Sequence, residues 1–297
     1  MNEEKRQPPI PKETLGFESY PELLRIQETE LEILIKFDEV CRESGLEYFL
    51  DAGTLLGAVR HGGFIPWDDD IDVGMPRRDY DKFLEIGQKR LGDSFFLQSR
   101  ETDGNCPFSF AKIRKRGTTF LEWNKRSIRM NHGIWIDIFP YDCLPEEGKA
   151  EYTNECLKLD NILVTKMIPD RAAQPTRSLK WLAGMIARRL KHYAYTGVSS
   201  DKLDRRISEA YRRYLYLEDE GGCKSFTCHA YCAPYDFPRD VMLPAGRVLF
   251  EGHEFYAPHD ADKFLRILYG DYWKIPPESE RVGHRPFMVS FDEEYRV

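Results

Sequence analysis

Four aspartates, Asp68, Asp69, Asp70 and Asp72, crowd the run "PWDDDIDVGM", whose Ile71, Val73 and Met75 have the composition of a strand. In an extended chain residues two apart share a face, so Asp68, Asp70 and Asp72 would project together while Ile71 and Val73 turn to the core. Aspartate is depleted in strands and neighbouring like charges repel, so the pattern needs compensation, for which a divalent cation with oxygen ligands is suited. Asp137 repeats the theme inside "GIWIDIFPYD", between Ile136 and Ile138, and charges within apolar runs are seldom left unpaired. An acid-x-acid strand and a third acid on another strand, preceded by a Gly53-Thr54 turn into a helix, is a layout for metal-assisted transfer at phosphorus. The acids would hold one or two Mg2+ (or Mn2+) ions, and the helix start would offer N–H groups to an anion. An EF-hand loop starting at Asp68 fails, because Val73 stands where glycine is required and Asp79 where the bidentate glutamate belongs. A merely solvated acidic face is disfavoured by the interleaved Ile and Val.

Four basic residues stand near these acids: Arg60 and His61 just after the Gly-Thr helix, and Lys112 and Arg114 alternating on "FAKIR". They are candidates to meet a diphosphate, which needs several donors, or else to neutralise the acids; Lys115 and Arg116 read as solvent-facing. Cys223, Cys228, His229 and Cys232 have zinc-compatible types without a finger spacing, so a structural Zn2+ stands against the plainer reading of free buried cysteines. Residues 177–193 form a basic amphipathic helix, with Arg177, Lys180, Arg188 and Lys191 near one side and Leu179, Leu182, Ile186 and Tyr193 on another. It suits either an anionic membrane surface or ordinary packing with a solvated charged face.

The elements that must position these groups follow from the apolar spacing. Helical periodicity predicts an amphipathic helix from Pro21 to Ser44, ended by Gly45. Strands are expected at "LEYFLDA", "DDDIDVGM", "FAKIRKR", "TTFLE" and "HGIWIDIFPYD", with a helix after Pro76. Helices dominate residues 147–217, and a hairpin near Glu251 and Gly252 and the helix "DADKFLRILYG" precede the tail. This is a mixed α+β class, divided into a flexible arm at 1–16, a core at 17–146, a helical insertion at 147–240 and a closing segment at 241–297. A chain of 297 residues with 41% hydrophobic content can bury a sizeable core. Its net charge of −7 argues against broad nucleic-acid binding. No apolar signal region or spanning stretch is found, and seven cysteines without an obvious disulfide framework point to the cytoplasm.

Three stretches together, "DAGTLLGAVRHGGFIPWDDDIDVGM", "GIWIDIFPYD" and "YGDYWKIPPESERVGHRP", resemble the LicD family of phosphocholine transferases, a group that looks related to fukutin and fukutin-related protein. The resemblance runs from about Gly45 to His284 and is weakest between 147 and 240. It implies a nucleotidyltransferase-like mixed sheet with flanking helices, with Gly53 and Thr54 as the turn, Thr54 replacing the more usual Ser. Asp70, Asp72 and Asp137 would be the metal-binding catalytic acids, with Asp68 an added ligand. It also places Arg281 and His284 in a tail that folds back over the site. The implied reaction moves a phospho-alcohol from a CDP-alcohol donor, CDP-choline favoured, to a hydroxyl of a glycan or lipid-linked glycan acceptor, as in lipopolysaccharide or teichoic acid synthesis, with CMP leaving. Two alternatives stand beside it: a nucleotidyltransferase attacking the α-phosphate of an NTP, and a non-catalytic divalent-cation-binding protein.

Overall fold

Ile26, Ile33, Leu34, Phe37 and Val40 recur at helical spacing and form the buried stripe of α1 (Leu23–Ser44), which Gly45 ends in the left-handed conformation at φ 63°. The computed structural model describes residues 10, 15–17, 19–169, 179–231, 235–284 and 286–297. Most of the arm 1–16 lies outside these residues. After α1 come β1 (Phe49–Leu50), α2 (Ala52–His61), β2 (Asp72–Pro76), α3 (Arg77–Leu91), β3 (Phe95–Gln98), β4 (Ala111–Lys115), β5 (Thr119–Leu121) and β6 (Trp135–Cys143). Four helices follow, α4 (Lys149–Met167), α5 (Leu179–Thr196), α6 (Ser200–Tyr211) and α7 (Tyr216–Asp219). The chain closes with β7 (Ser225–Thr227), β8 (Phe237–Pro238), α8 (Arg239–Met242), β9 (Gly246–Phe250), β10 (His253–Ala257), α9 (Ala261–Tyr269) and β11 (Met288–Ser290).

Seven strands make one mixed sheet in the order β1-β2-β6-β4-β3, with β7 on the far end of β6 and β8 on β7. Only β2 and β6 run parallel; the other pairs in it are antiparallel. Helices packed on such a sheet give the α+β class expected from the sequence. β6, the strand expected at "HGIWIDIFPYD", is buried at all nine of its residues, Asp137 included. As the central strand it is covered on both faces: α1 and α3 pack against it, and Trp135 and Phe139 meet Phe120 and Phe110. At its far end Asp142 accepts both fork bonds of Arg77, at 2.7 and 2.9 Å, tying the start of α3 to the sheet.

The main core takes residues from α1 through Tyr272, while α4 and α6 gather a separate cluster around Tyr152, Leu159, Leu163, Leu203 and Ile207. The expected hairpin is present as β9 and β10, turning at Glu251 and Gly252, both with positive φ. Four strands escaped sequence reading, among them the short β7 and β8. The short run "FFLQ" became β3, and β11 is a three-residue strand paired with β5. Among the described residues no helix is long and apolar enough to cross a membrane.

Cys143 and Cys223 form a disulfide that joins the end of β6 to the segment before β7. This corrects the expectation of a cysteine set without disulfides, and such bonds belong to oxidising compartments. The cysteine complement therefore gives no support to a reducing one.

Tight packing at the parallel pair is testable at Gly74 of β2, where an added Cβ would fall against the rings of Phe49 and Tyr141. Gly74→Ala is expected to destabilise the protein by about 1–3 kcal/mol through overpacking, read as a lowered melting temperature. An unchanged value would show that the rings can move aside.

Candidate active site

The sheet register assembles the first part of the site. Asp72 of β2 lies opposite Asp137 of β6, and Asp137 lies opposite Lys112 of β4. Residues opposite one another share a face, so two carboxylates and an amine stand in a row across three strands. The Lys112 Nζ donates to Asp137 Oδ1 and sits 4.5 Å from the Trp135 ring centroid. Behind the row, Thr54 Oγ1 accepts the Asp72 N–H at 2.8 Å, fixing the start of α2 to the start of β2.

That start is itself strained and capped. Ala52 has a φ of 40°, unusual for a residue with a Cβ. It is held there by buried Asp51, which accepts from the Ala52 N–H at 2.7 Å and from the hydroxyls of Tyr141 and Tyr231 at 2.8 and 2.7 Å. The N–H groups of Gly53 and Thr54 stand in the first turn, where a helix has no internal acceptor for them.

The remaining acids stand on a loop. The sequence reading put Asp68, Asp70 and Asp72 on one strand, yet β2 begins only at Asp72. Residues 68–71 curve beneath α1, whose Gln27 Nε2 donates to the Asp68 carbonyl at 2.8 Å. The Asp68 carboxylate packs where Gly53 lacks a side chain; a Cβ at 53 would come within 2.8 Å of Oδ2. Asp69, which alternation would have turned away from its neighbours, is wholly buried and accepts from the Tyr20 hydroxyl at 2.7 Å. It also accepts the backbone N–H of His284 at 2.7 Å, and its Oδ1 lies 2.9 Å from the His284 ring Nδ1. The tail thus returns to the acids as expected. One ligand atom each from Asp69, Asp70 and His284 lie within 4.8 Å of one another.

Burial and mutual repulsion dominate the electrostatics. Burial first, then Asp70, pushes the Asp68 and Asp72 carboxyls well up, and Asp70 is raised by burial and by Asp137. Asp69 moves the other way: although burial opposes it, the bond and charge of His284 hold it below the usual carboxylate range. Burial likewise opposes the charge on His284, but Asp70 and Asp69 lift that imidazole to about 10. Burial lowers Lys112, partly offset by Asp137.

Residues 45–187 match the family model "LicD/FKTN/FKRP, nucleotidyltransferase domain". The chain is 28% identical over 267 residues to the lipopolysaccharide cholinephosphotransferase LicD of Haemophilus influenzae, covering 86% of this chain and 92% of that protein. These matches bear out the resemblance to the LicD family read in the sequence. A shorter stretch of 36 residues, 12% of the chain, is 53% identical to the ribitol 5-phosphate transferase FKRP of Homo sapiens and spans 7% of that protein. An uncharacterised protein of Rickettsia typhi is 46% identical over 48 residues, 16% of each chain.

The other basic candidates face neighbouring chain segments. Arg60 donates to His61 Nε2 and to the Tyr272 carbonyl, both at 2.9 Å, while His61 Nδ1 lies 3.1 Å from the Ile10 carbonyl. Arg114 donates to Gln98 Oε1 and to the Gly133 carbonyl. Arg281 bonds the Pro276 and Gly16 carbonyls and lies over Trp67. The proposed zinc group does not come together among the described residues. Its Cys223 is bonded to Cys143, His229 turns to Tyr152 and Asp142, and Cys232 lies outside the described residues.

Sequence reasoning missed two acidic residues here, Asp69 and Glu30. Glu30 had a legible signal, because it occupies a position on the apolar stripe of α1 between Ile26 and Ile33. A charge on a buried stripe calls for a partner.

Glu30, Asp68, Asp70 and Asp72 are all raised, so each favours the folded chain while protonated and loses that contribution as pH rises. His284, raised to about 10, contributes fully below its ordinary 6.5 and is lost only towards its raised value, in the same direction. With a chelator present, the melting temperature is therefore expected to fall as pH rises from about 5 to 8, and millimolar Mg2+ should restore it at the upper end. A melting temperature flat across this window would show that the acids do not repel one another.

Proposed function

We propose that this chain transfers a phospho-alcohol, phosphocholine foremost, from a CDP-activated donor to a hydroxyl of a cell-surface glycan precursor, releasing CMP. The observation that carries the reading is the Asp72-Asp137-Lys112 row beside the acid loop and the capped start of α2. The similarity to a lipopolysaccharide cholinephosphotransferase and to a ribitol 5-phosphate transferase supports the same transferred group class.

The donor set is all carboxylate oxygen, which fits Mg2+ or Mn2+, and Asp70, Asp72 and Asp137 would hold the ion, with Asp68 beside them. Bound there, it supplies charge neutralisation on the phosphate oxygens. The chain's own groups do the rest. The Gly53 and Thr54 N–H groups, at the positive end of α2, bind phosphate oxygens. Lys112 holds Asp137 in place, oriented to accept the proton of the acceptor hydroxyl. His284, charged at neutral pH and clamped on Asp69, sets a positive charge at the rim of the site. Peripheral contact with a membrane face, where a lipid-linked acceptor would lie, completes the proposal. α5 supports it, because Leu182, Ile186, Leu190 and Tyr193 are each more than half exposed on a helix that also carries Arg188, Arg189 and Lys191.

A nucleotidyltransferase would use the same acids but attack the α-phosphorus, so the products decide. Incubation with CDP-choline, CDP-ribitol or CDP-glycerol, a glycan acceptor and Mg2+ is expected to release CMP. Diphosphate released from an NTP, with no CMP from any CDP-alcohol, would overturn the proposal. Asp72→Asn should lower CMP release by at least about a hundredfold while the circular-dichroism spectrum stays that of the parent; retained turnover would remove Asp72 from the site.

A further inference from the structure

The face of β6 that carries Asp137 continues, two residues on, into Phe139. On the β4 side the Phe139 ring meets Phe110, with 4.7 Å between centroids, and Phe110 stacks on Phe108 at 5.0 Å. On the other side Phe139 meets Tyr231 at 6.2 Å, and Tyr231 stands edge-on to Tyr235 at 5.5 Å and 84°. Five rings from three separate segments thus form one row that passes the Asp137-Lys112 pair. Phe139 is buried, while Phe108, Phe110, Tyr231 and Tyr235 each keep part of their surface open to solvent.

The face of an aromatic ring carries partial negative charge, so such a row repels phosphate and attracts cations. Its near end already holds one: the Lys112 ammonium lies 4.7 Å from the Phe108 centroid and 5.3 Å from that of Phe110. Trp135, on the same strand face, is likewise taken, by Lys112 at 4.5 Å and Arg114 at 5.1 Å. At the far end, among the described residues, no cation covers Phe139, Tyr231 or Tyr235. There the two tyrosine rings stand at right angles beside Phe139, and rings set as a corner are how quaternary ammonium groups are held. Reach favours the same occupant. In phosphocholine two carbons separate the ammonium from the phosphate ester oxygen, and Phe139 follows Asp137 by two residues of strand, about 7 Å. A polyol would bring hydroxyls to a corner with no free acceptor, since the Tyr231 hydroxyl is engaged by Asp51 at 2.7 Å.

We propose that Phe139, Tyr231 and Tyr235 form the subsite for the quaternary ammonium of the transferred alcohol, so that this corner selects choline over ribitol or glycerol. The inference rests on the transferase reading and deepens it, by naming the side chains that recognise the alcohol. Tyr231 and Tyr235 lie outside residues 45–187, so the segment after the helical region completes a site begun on β6.

The test compares, by calorimetry on the full chain with Mg2+, the binding of CDP-choline and of its uncharged analogue, in which carbon replaces the quaternary nitrogen. The two ligands have the same shape and differ only in charge. The parent is expected to bind CDP-choline at least about tenfold more tightly than the analogue. Tyr235→Leu should remove most of that difference by weakening CDP-choline alone, and Tyr235→Phe, which keeps the ring, should retain it. Should Tyr235→Leu fail to fold, Phe139→Leu must show the same loss. A parent that binds both ligands equally would overturn the proposal, as would a charge preference that survives both Tyr235→Leu and Phe139→Leu. CMP release measured alongside separates this inference from the transferase reading. Release from CDP-glycerol or CDP-ribitol as readily as from CDP-choline defeats the inference alone, whereas charge-selective binding with no CMP from any of the three defeats the transferase proposal alone.

Discussion

Repulsion among buried carboxylates is the constraint on which the site's construction depends. Packing Asp68, Asp69, Asp70, Asp72 and Asp137 together opposes folding, because removing charges from water is expensive and neighbours of like sign add to it. Every element touching this cluster can be understood as a response. Thr54 locks the strand that carries Asp72, Lys112 lies on Asp137, Tyr20 and His284 share Asp69, and Gly53 leaves room for Asp68. The sheet supplies rigidity that no loop could, since its only parallel pair is the one that sets Asp72 beside Asp137.

Pre-organisation of this kind is characteristic of sites that bind charged groups, where the protein bears the expense of holding ligands close before anything is bound. The same logic extends to the helix start. Asp51, buried between two tyrosine hydroxyls and raised to about 6 by burial, holds Ala52 in an unfavourable conformation so that the following N–H groups stand beside the acids. Strain at this point is maintained by the hydrogen bonds that hold Asp51.

Asp70, Asp72, Asp137, Gly53 and Thr54 stand out in the sequence because they sit in patterns with a physical period: alternation, an apolar run broken by one acid, a glycine before a helix. The tail's return was legible too, through resemblance. What the sequence could not show was conformation where the period stops. Alternation was extended backwards from Asp72 into a loop, so Asp69 was assigned to the wrong side. Strands β3 and β11 are too short to carry a period of their own and exist because β4 and β5 offer them open edges. The basic residues illustrate a further limit. Arg60, Arg114 and Lys112 look alike in one dimension, and only the three-dimensional arrangement shows that Arg60 and Arg114 brace backbone carbonyls while Lys112 meets an acid. The disulfide was invisible for the same reason, its two cysteines being 80 residues apart with no framework of spacings around them.

The bond between His284 and Asp69 closes a loop of 215 residues. Contacts of such span form late, because the chain entropy of closing a long loop must be overcome before the contact returns anything. During folding the sheet can therefore form while Asp69 still lacks its counter-charge, and the cluster acquires its full shape only at the final stage. A partly folded chain would present the acids in an open and weakly organised form. The feature thus works as a completion check: the acids take their final arrangement only together with the closing of the tail.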